Sequence, residues 1–319
     1  MLPIPPYLTR LAILLVLVAA CASPLKRESI LLRVAVEKEP LQVLEIELEN
    51  YLLGVLAGEV PEDWPIEALK AQAVAARTYA LYRRSNPRSE LYDLETTVED
   101  QVFKNPSKGH PSPKVSKRFR QAVAETAGEV LTSGEMPTPE AGLIPAYYHS
   151  CCGGQTEAAS SVWGGLDSGL PAPIKDPYCK ACPNFSWEER IPKAEITPLL
   201  FETEGEEGKE TMTLTIQNRD PAGRVQQLSI RQNGKSRLIT ANDFRRTVGY
   251  QRLKSSWFDF KEEEEAYIFS GHGSGHGVGL CQWGAKGMAE RGFPYSEILK
   301  FYYPQAVIQP WQRAPVDFE

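Results

Sequence analysis

Apolar positions cluster first in two short runs, Ile30 to Val36 and Leu41 to Ile46, and both read as strands. From Glu47 to Gly58 the period changes. Leu48, Leu52, Val55 and Leu56 recur at helical spacing, and Gly58 and Pro61 end the helix. A second helix is predicted from Asp63-Trp64-Pro65, where proline suits a first turn, to about Arg84. Its middle, Ala71 to Ala76, carries no charge on any face, so this helix should be buried all round. Arg118 to Thr126 predicts a third helix ended by Gly128, and Glu129 to Leu131 and Pro145 to Ser150 read as strands around a Ser133-Gly134 turn. Thr211 to Ile216, Val225 to Ile230 and Leu238-Ile239, divided by Pro221–Gly223 and Asn233-Gly234 turns, predict a three-stranded meander. Phe244 to Val248 is a short helix and Ser255 to Phe260 a strand. A glycine-rich loop then leads into two closing helices, Gln282 to Arg291 and Ser296 to Tyr303. There is no βαβ alternation and no repeat. The expected fold class is α+β, with mixed helices and antiparallel sheet. It forms a single large domain over residues 30–312, with a β-meander sub-lobe at about 195–240.

The first residues read as an address. Leu11 to Ala20 is an apolar run behind Arg10, too short for a spanning helix, which needs about 20 residues. It ends in Val18-Ala19-Ala20-Cys21, which resembles the lipobox of bacterial lipoproteins. That reading makes residues 1–20 a signal peptide, Cys21 the lipidated residue and 21–29 a tether. The chain is then exported and held at a membrane of the cell envelope by its lipid. The net charge of −6 offers no basic excess to displace counterions from a phosphate backbone, so nucleic acid is excluded as a partner. Twenty-five prolines and twenty-four glycines imply many loops rather than a helical bundle.

Three features could carry chemistry. Glu59 is a lone acid among apolar neighbours at the C-terminal end of a predicted helix. Desolvation and the negative end of the helix dipole both raise a carboxyl pKa, the condition for a general acid near neutral pH. Lys70 and Arg77 share one stripe of the second helix, two turns apart, with nothing charged between them. Such cations need a partner, either a carboxylate such as Glu59 or an anionic ligand. The loop Gly271 to Gly279 fits neither phosphate-binding glycine pattern, but its glycines permit close backbone approach, and His276 could donate to a substrate. Cys151, Cys152, Cys179 and Cys182 form a CC…CxxC set, with His149 beside them as another ligand. In an exported chain they read either as disulfides or thiols, or as a structural zinc site. In each case they staple a loop, and no cofactor for catalysis is expected.

Glu49 to Tyr82 (ENYLLGVLAGEVPEDWPIEALKAQAVAARTYALY) closely resembles the SpoIID/LytB family of bacterial cell-wall proteins. Further blocks match at Ala146 to Glu157 (AYYHSCCGGQTE), at Asp176 to Cys179 with Trp187, and at Gly271 to Pro304 (GHGSGHGVGLCQWGAKGMAERGFPYSEILKFYYP). The resemblance spans roughly residues 30 to 310 and is weakest in the meander. It implies a lytic transglycosylase that cuts peptidoglycan glycan strands, with a preference for glycan stripped of stem peptides. Glu59 inherits the catalytic role. Lys70, Arg77, Ser150, His276 and Gln282 inherit substrate contacts by motif position. Some family members are described instead as enhancers of a separate cell-wall amidase, which would make an amidase a partner. Two departures stand out: Cys281 replaces the usual serine before Gln282-Trp283-Gly284, and Cys151-Cys152 replaces a small polar pair. An enzyme of this type manages with one acid, where ordinary glycosidases need two. The 6-hydroxyl of N-acetylmuramic acid (MurNAc) attacks its own anomeric carbon. Asp63, Asp100 and Glu157 are the candidates for a second acid if water is the nucleophile.

Overall fold

The computed structural model describes residues 30–104, 116–134, 142–165, 170–200, 212–232 and 234–311. The segment read as a signal peptide, Cys21 and the expected tether lie outside them. Strands β1 (Leu31–Lys38) and β2 (Leu41–Glu47) form an antiparallel hairpin that runs straight into α1 (Leu48–Glu59), where the Glu47 carboxylate caps the Asn50 N–H at 3.0 Å. Helix α2 (Ile66–Ser85) follows, and every residue from Ala71 to Leu81 is buried, as its uncharged middle predicts. Alanine at Ala71, Ala73, Ala75, Ala76 and Ala80 keeps this helix thin, so neighbours close on it from all sides. Strand β3 (Leu94–Glu95) joins β1 in parallel. Helix α3 (Lys117–Glu125), capped by Ser116, precedes β4 (Glu129–Thr132).

The segment predicted as a strand at Pro145 to Ser150 is narrower, β5 (Tyr148–His149). Its partner lies far along the chain, so no local pattern announces it. Helix α4 (Ala159–Trp163) and a 3₁₀ turn at Cys179–Ala181 come next. Then β6 (Ser186–Pro192), α5 (Lys193–Leu200), the meander β7 (Thr213–Arg219), β8 (Val225–Gln232) and β9 (Lys235–Thr240), and α6 (Ala241–Val248) build a second lobe. Strands β10 (Phe258–Glu262) and β11 (Ala266–His272) complete it, with β11 central between β10 and β6. This lobe has its own apolar core, in which Trp187, Ile191, Leu228, Phe244 and Phe269 meet. The meander stands as predicted, inside a lobe that gathers residues on both sides of it.

The chain then returns to the first core. Strand β12 (Leu280–Cys281) pairs in parallel with β5, and α7 (Gln282–Ala289) and α8 (Tyr295–Tyr302) pack against α2. Strand β13 (Val307–Pro310) closes antiparallel on β4. The fold is α+β with several small sheets, and α2 is the axis around which the two ends of the chain meet.

Candidate active site

Glu59 is the last residue of α1, half-buried, with its carboxylate held by two donors. The backbone N–H of Val102 reaches Oε1 at 2.7 Å, and the Gln282 side-chain amide reaches Oε2 at 3.1 Å. The approach of Val102 depends on glycine. Gly54 and Gly58, one turn apart on α1, open a groove for the segment Gln101 to Lys104, and the Lys104 N–H donates to the Gly54 carbonyl at 3.1 Å. A Cβ at Gly58 would stand 2.3 Å from the Val102 carbonyl oxygen, and one at Gly54 would stand 2.2 Å from the Phe103 ring. The Gly-Glu pair in the sequence therefore has a mechanical reason: the glycine admits the backbone that binds the acid.

Burial raises the Glu59 carboxyl above its ordinary value, against the opposing pull of the Val102, Gln282 and Tyr148 donors. Among the described residues, the groups that act on it most are the Val102 backbone, Gln282 and Tyr148. Tyr148, whose buried hydroxyl makes no hydrogen bond of ordinary length, and Val102 are parts of this site that sequence reading misses. Tyr148 lies inside a quoted motif, so its position was visible but its role was not. Val102 acts through its backbone and leaves no signal. Trp283 and Trp64 meet edge to face beside Gln282, with ring centroids 5.2 Å apart.

Lys70 and Arg77 do not approach Glu59. Lys70 Nζ pairs with Glu67 at 2.9 Å and Glu125 at 2.6 Å. Arg77 has no exposed surface; its guanidinium clamps Glu49 through Nε at 2.8 Å and Nη2 at 2.6 Å, and also donates to the Val123 and Glu129 carbonyls. The need for a partner was read correctly. The partner is structural, and the buried guanidinium is a brace between α1, α2 and α3 rather than a group presented at the surface. Lys70 is likewise engaged within the protein.

The three second-acid candidates are dispersed. Asp63 is exposed. The Asp100 side chain is enclosed by Tyr79, which donates to it at 2.6 Å, and by Arg88 at 3.0 Å. Glu157 is buried against Arg224 at 3.2 Å, with its carboxyl pushed up to about 7 by burial and by neighbouring Asp220. Asp100 and Glu157 each have a partner set of their own.

His276 lies on the other side of β5. Neighbouring strand residues point to opposite faces. Tyr148 faces Glu59, while Tyr147 and His149 stand against the His276 ring, with centroids 6.1 and 5.6 Å away. Its Nδ1 accepts the Val278 N–H at 3.0 Å, and burial pushes the imidazole down to about 4, so the neutral ring carries its proton on Nε2. Trp163 covers it at 5.1 Å, and both line a pocket of about 460 Å³ that also includes Glu157 and Asp220 but not Glu59. The glycine loop around His276 is rigid packing. At Gly279, φ is +72° and a Cβ would meet the Tyr147 carbonyl oxygen at 2.0 Å. Ser150 sits at the junction of the two faces, where its carbonyl accepts the Trp283 N–H at 3.1 Å. The structure thus brings together Glu59 and Gln282, sets Ser150 beside them, and places His276 across the strand.

The cysteines converge, with a change of membership. Cys152, Cys179, Cys281 and the Asp176 carboxylate all lie within 4.8 Å of one another and are buried. Cys151 and Cys182 are buried beside this group, and the Cys151 thiol interacts with those of Cys179, Cys182 and Cys281. Cys281 joins because β12 pairs with β5, a contact that spacing along the chain does not reveal. His149 is outside the group; its Nδ1 lies 3.1 Å from the Val278 carbonyl. None of the five described cysteines is in a disulfide.

Comparison with known proteins places this arrangement. The family model for SpoIID, "Stage II sporulation protein", matches residues 37–133, and one described as a domain of unknown function (DUF8618) matches residues 175–279. An uncharacterized protein of Brachyspira hyodysenteriae is 35% identical over 278 residues, covering 87% of this chain and 70% of its own. Stage II sporulation protein D of Bacillus subtilis is 32% identical over 273 residues, covering 82% of this chain and 74% of its own. The amidase enhancer of Bacillus subtilis is 29% identical over 300 residues, 79% of this chain but only 39% of the enhancer. The chain belongs to the SpoIID/LytB family.

Proposed function

We propose that this SpoIID/LytB protein is a lytic transglycosylase that cleaves peptidoglycan glycan strands between MurNAc and N-acetylglucosamine, on glycan poor in stem peptides. The observation that carries this reading is the Glu59 carboxyl. It is half-buried, raised in pKa by desolvation, and held on both oxygens by donors that fix its orientation. A protonated acid in that setting can give its proton to the glycosidic oxygen as the bond to the MurNAc anomeric carbon breaks. The resulting carboxylate then accepts the proton of the MurNAc 6-hydroxyl as that oxygen bonds to the same carbon. The products are a free 4-hydroxyl and a 1,6-anhydro end, and Glu59 is protonated again. No water is consumed, so one carboxyl is sufficient for both proton transfers. Gln282 and Val102 hold the carboxylate in the interval, and Trp283 offers an aromatic face beside it for a sugar ring.

Export and lipidation at Cys21 would put this activity in the cell envelope, with the membrane and the glycan as its partners. The likeness to an amidase enhancer supports a second reading, a wall-binding protein that stimulates an N-acetylmuramoyl-L-alanine amidase without cutting glycan itself. Mass spectrometry of fragments released from denuded glycan by the purified mature chain separates the two. Anhydro-ended glycan fragments are expected for the enzyme. For the enhancer no fragments should appear, and a faster added amidase should.

A further inference from the structure

Three donor sulfurs and one carboxylate share a dry interior space, and their geometry suits one tetrahedral ion. Zinc bonds of about 2.3 Å to sulfur and 2.0–2.2 Å to oxygen put the donors of a tetrahedral site roughly 3.5–3.8 Å apart. Cys152 Sγ is 3.4 Å from Cys179 Sγ and 3.2 Å from Asp176 Oδ2, and no pair within the four exceeds 4.8 Å. Cys152, Cys179 and Cys281 have no exposed surface and Asp176 has 2%. We propose that Cys152, Cys179, Cys281 and Asp176 form a structural zinc site.

The surroundings are those of metal-bound anions. Cys281 Sγ accepts two backbone N–H groups, from Cys152 at 3.3 Å and Gly284 at 3.4 Å, as the cap of α7. Backbone donors and the positive end of a helix are suited to a sulfur that carries negative charge, as a metal-bound one does. Asp176 is oriented from behind, with Oδ2 accepting the Tyr302 hydroxyl at 2.9 Å and Oδ1 the Tyr178 N–H at 2.8 Å. That is the outer layer of hydrogen bonds that aims metal ligands. Room for it comes from glycine: a Cβ at Gly284 would stand 1.8 Å from the Tyr302 hydroxyl oxygen and 2.3 Å from Asp176 Oδ2. Three sulfurs select a soft or borderline ion over calcium or magnesium, which take oxygen. Disulfides account for the group less well. A Cys152–Cys179 bond would strand Cys281 and leave Asp176 without a cation in a dry interior.

The site also bears on the acid. Cys281 immediately precedes Gln282, so the metal would fix the start of α7 and with it the amide that binds Glu59. This consequence rests on the proposed role of Glu59; the metal content does not.

The test is metal analysis of the purified mature chain, paired with intact mass after denaturation. About one zinc per chain is expected, with Cys152, Cys179 and Cys281 all unoxidised. Cys281→Ser and Asp176→Asn should lower zinc occupancy at least about tenfold in competition with a chelator, because losing even a hydrogen-bond partner of a ligand costs about 10–100-fold. Cys182→Ser, outside the four, should keep it. Cobalt(II) added to the zinc-stripped parent should give thiolate-to-cobalt charge-transfer bands, a readout that does not depend on any variant folding. The proposal is overturned by metal-free protein that gives no such bands. It is also overturned by a disulfide that includes any of the three cysteines, or by Asp176→Asn that holds zinc as tightly as the parent. Each outcome is read without a glycan assay, so failure here and failure of the transglycosylase reading remain distinct.

Discussion

Replacing Glu59 by glutamine removes the proton while keeping the shape. In the parent, Oε1 accepts the Val102 N–H at 2.7 Å and Oε2 accepts the Gln282 amide at 3.1 Å. A glutamine oxygen can keep the first bond. The second then sets two NH₂ groups face to face, and a half-turn of the Gln282 amide restores it with the direction reversed. No buried donor is stranded, so the loss of about 1–3 kcal/mol that usually follows is avoided. The pH term has a definite sign. Burial raises the folded-state pKa of Glu59 above its unfolded value, so the contribution to stability is full below the unfolded pKa and is lost as pH rises through the folded one. Glutamine lacks that loss, and the variant should melt at or above the parent temperature at neutral pH. Activity should move the other way. Positioned proton transfer contributes about 10²–10⁴-fold, or about 2.7–5.4 kcal/mol at 1.36 kcal/mol per decade, and the proposed mechanism uses this residue for two successive transfers. Release of anhydro-ended glycan fragments from denuded glycan should therefore fall at least about 100-fold, with glycan binding retained in a pull-down. Turnover within about tenfold of the parent would refute the assignment of the acid. Products with reducing MurNAc ends, one water heavier, would refute the mechanism by identifying water as the nucleophile.

Three further outcomes follow from the same geometry. Gln282→Leu removes a donor that stabilises the Glu59 carboxylate, so the carboxyl pKa should rise and the alkaline limb of the pH–activity profile should move to higher pH; an unmoved limb would contradict the hydrogen bond. Arg77→Met should destabilise the chain by about 3 kcal/mol in urea denaturation, the low end for a broken buried pair because Glu49 keeps some solvent, while activity per folded molecule stays near the parent. A matching loss of turnover in folded Arg77→Met would restore a role for Arg77 in substrate contact. Gly279→Ala should cost at least about 1–3 kcal/mol from its backbone angle alone, with a further loss from the 2.0 Å clash with the Tyr147 carbonyl, read as a drop in melting temperature.

Much of this fold was legible where one face or one period decided the structure. The uncharged stretch Ala71 to Ala76 announces a helix enclosed on all sides, and the turns at Pro221–Gly223 and Asn233-Gly234 announce the meander. Strand β6 was missed because its two buried residues, Trp187 and Ile191, are separated by Glu188, Glu189 and Arg190, which mask its period. Strand β11 was missed because it runs into the glycine loop and reads as part of it. At the site, the apolar surroundings of Glu59 were enough to mark it. The partners of Lys70 and Arg77 were not, because Glu49, Glu67 and Glu125 are acids on other turns and helices and nothing in spacing selects them over Glu59. The entry of Cys281 into the cysteine cluster depends on β5 pairing with β12, and a pairing between residues about 130 positions apart has no local signature.

The hydrogen bond between Gln282 and Glu59 spans 223 positions of sequence. During synthesis the acid therefore emerges early and the amide that orients it emerges late, followed by α8, which seals the far side of α2. A chain still being made, or threaded through an export channel, holds the reactive carboxyl without its setting. The setting of the acid is therefore complete only after α7 and α8 have emerged and packed against α2, so its geometry depends on contacts made late in synthesis.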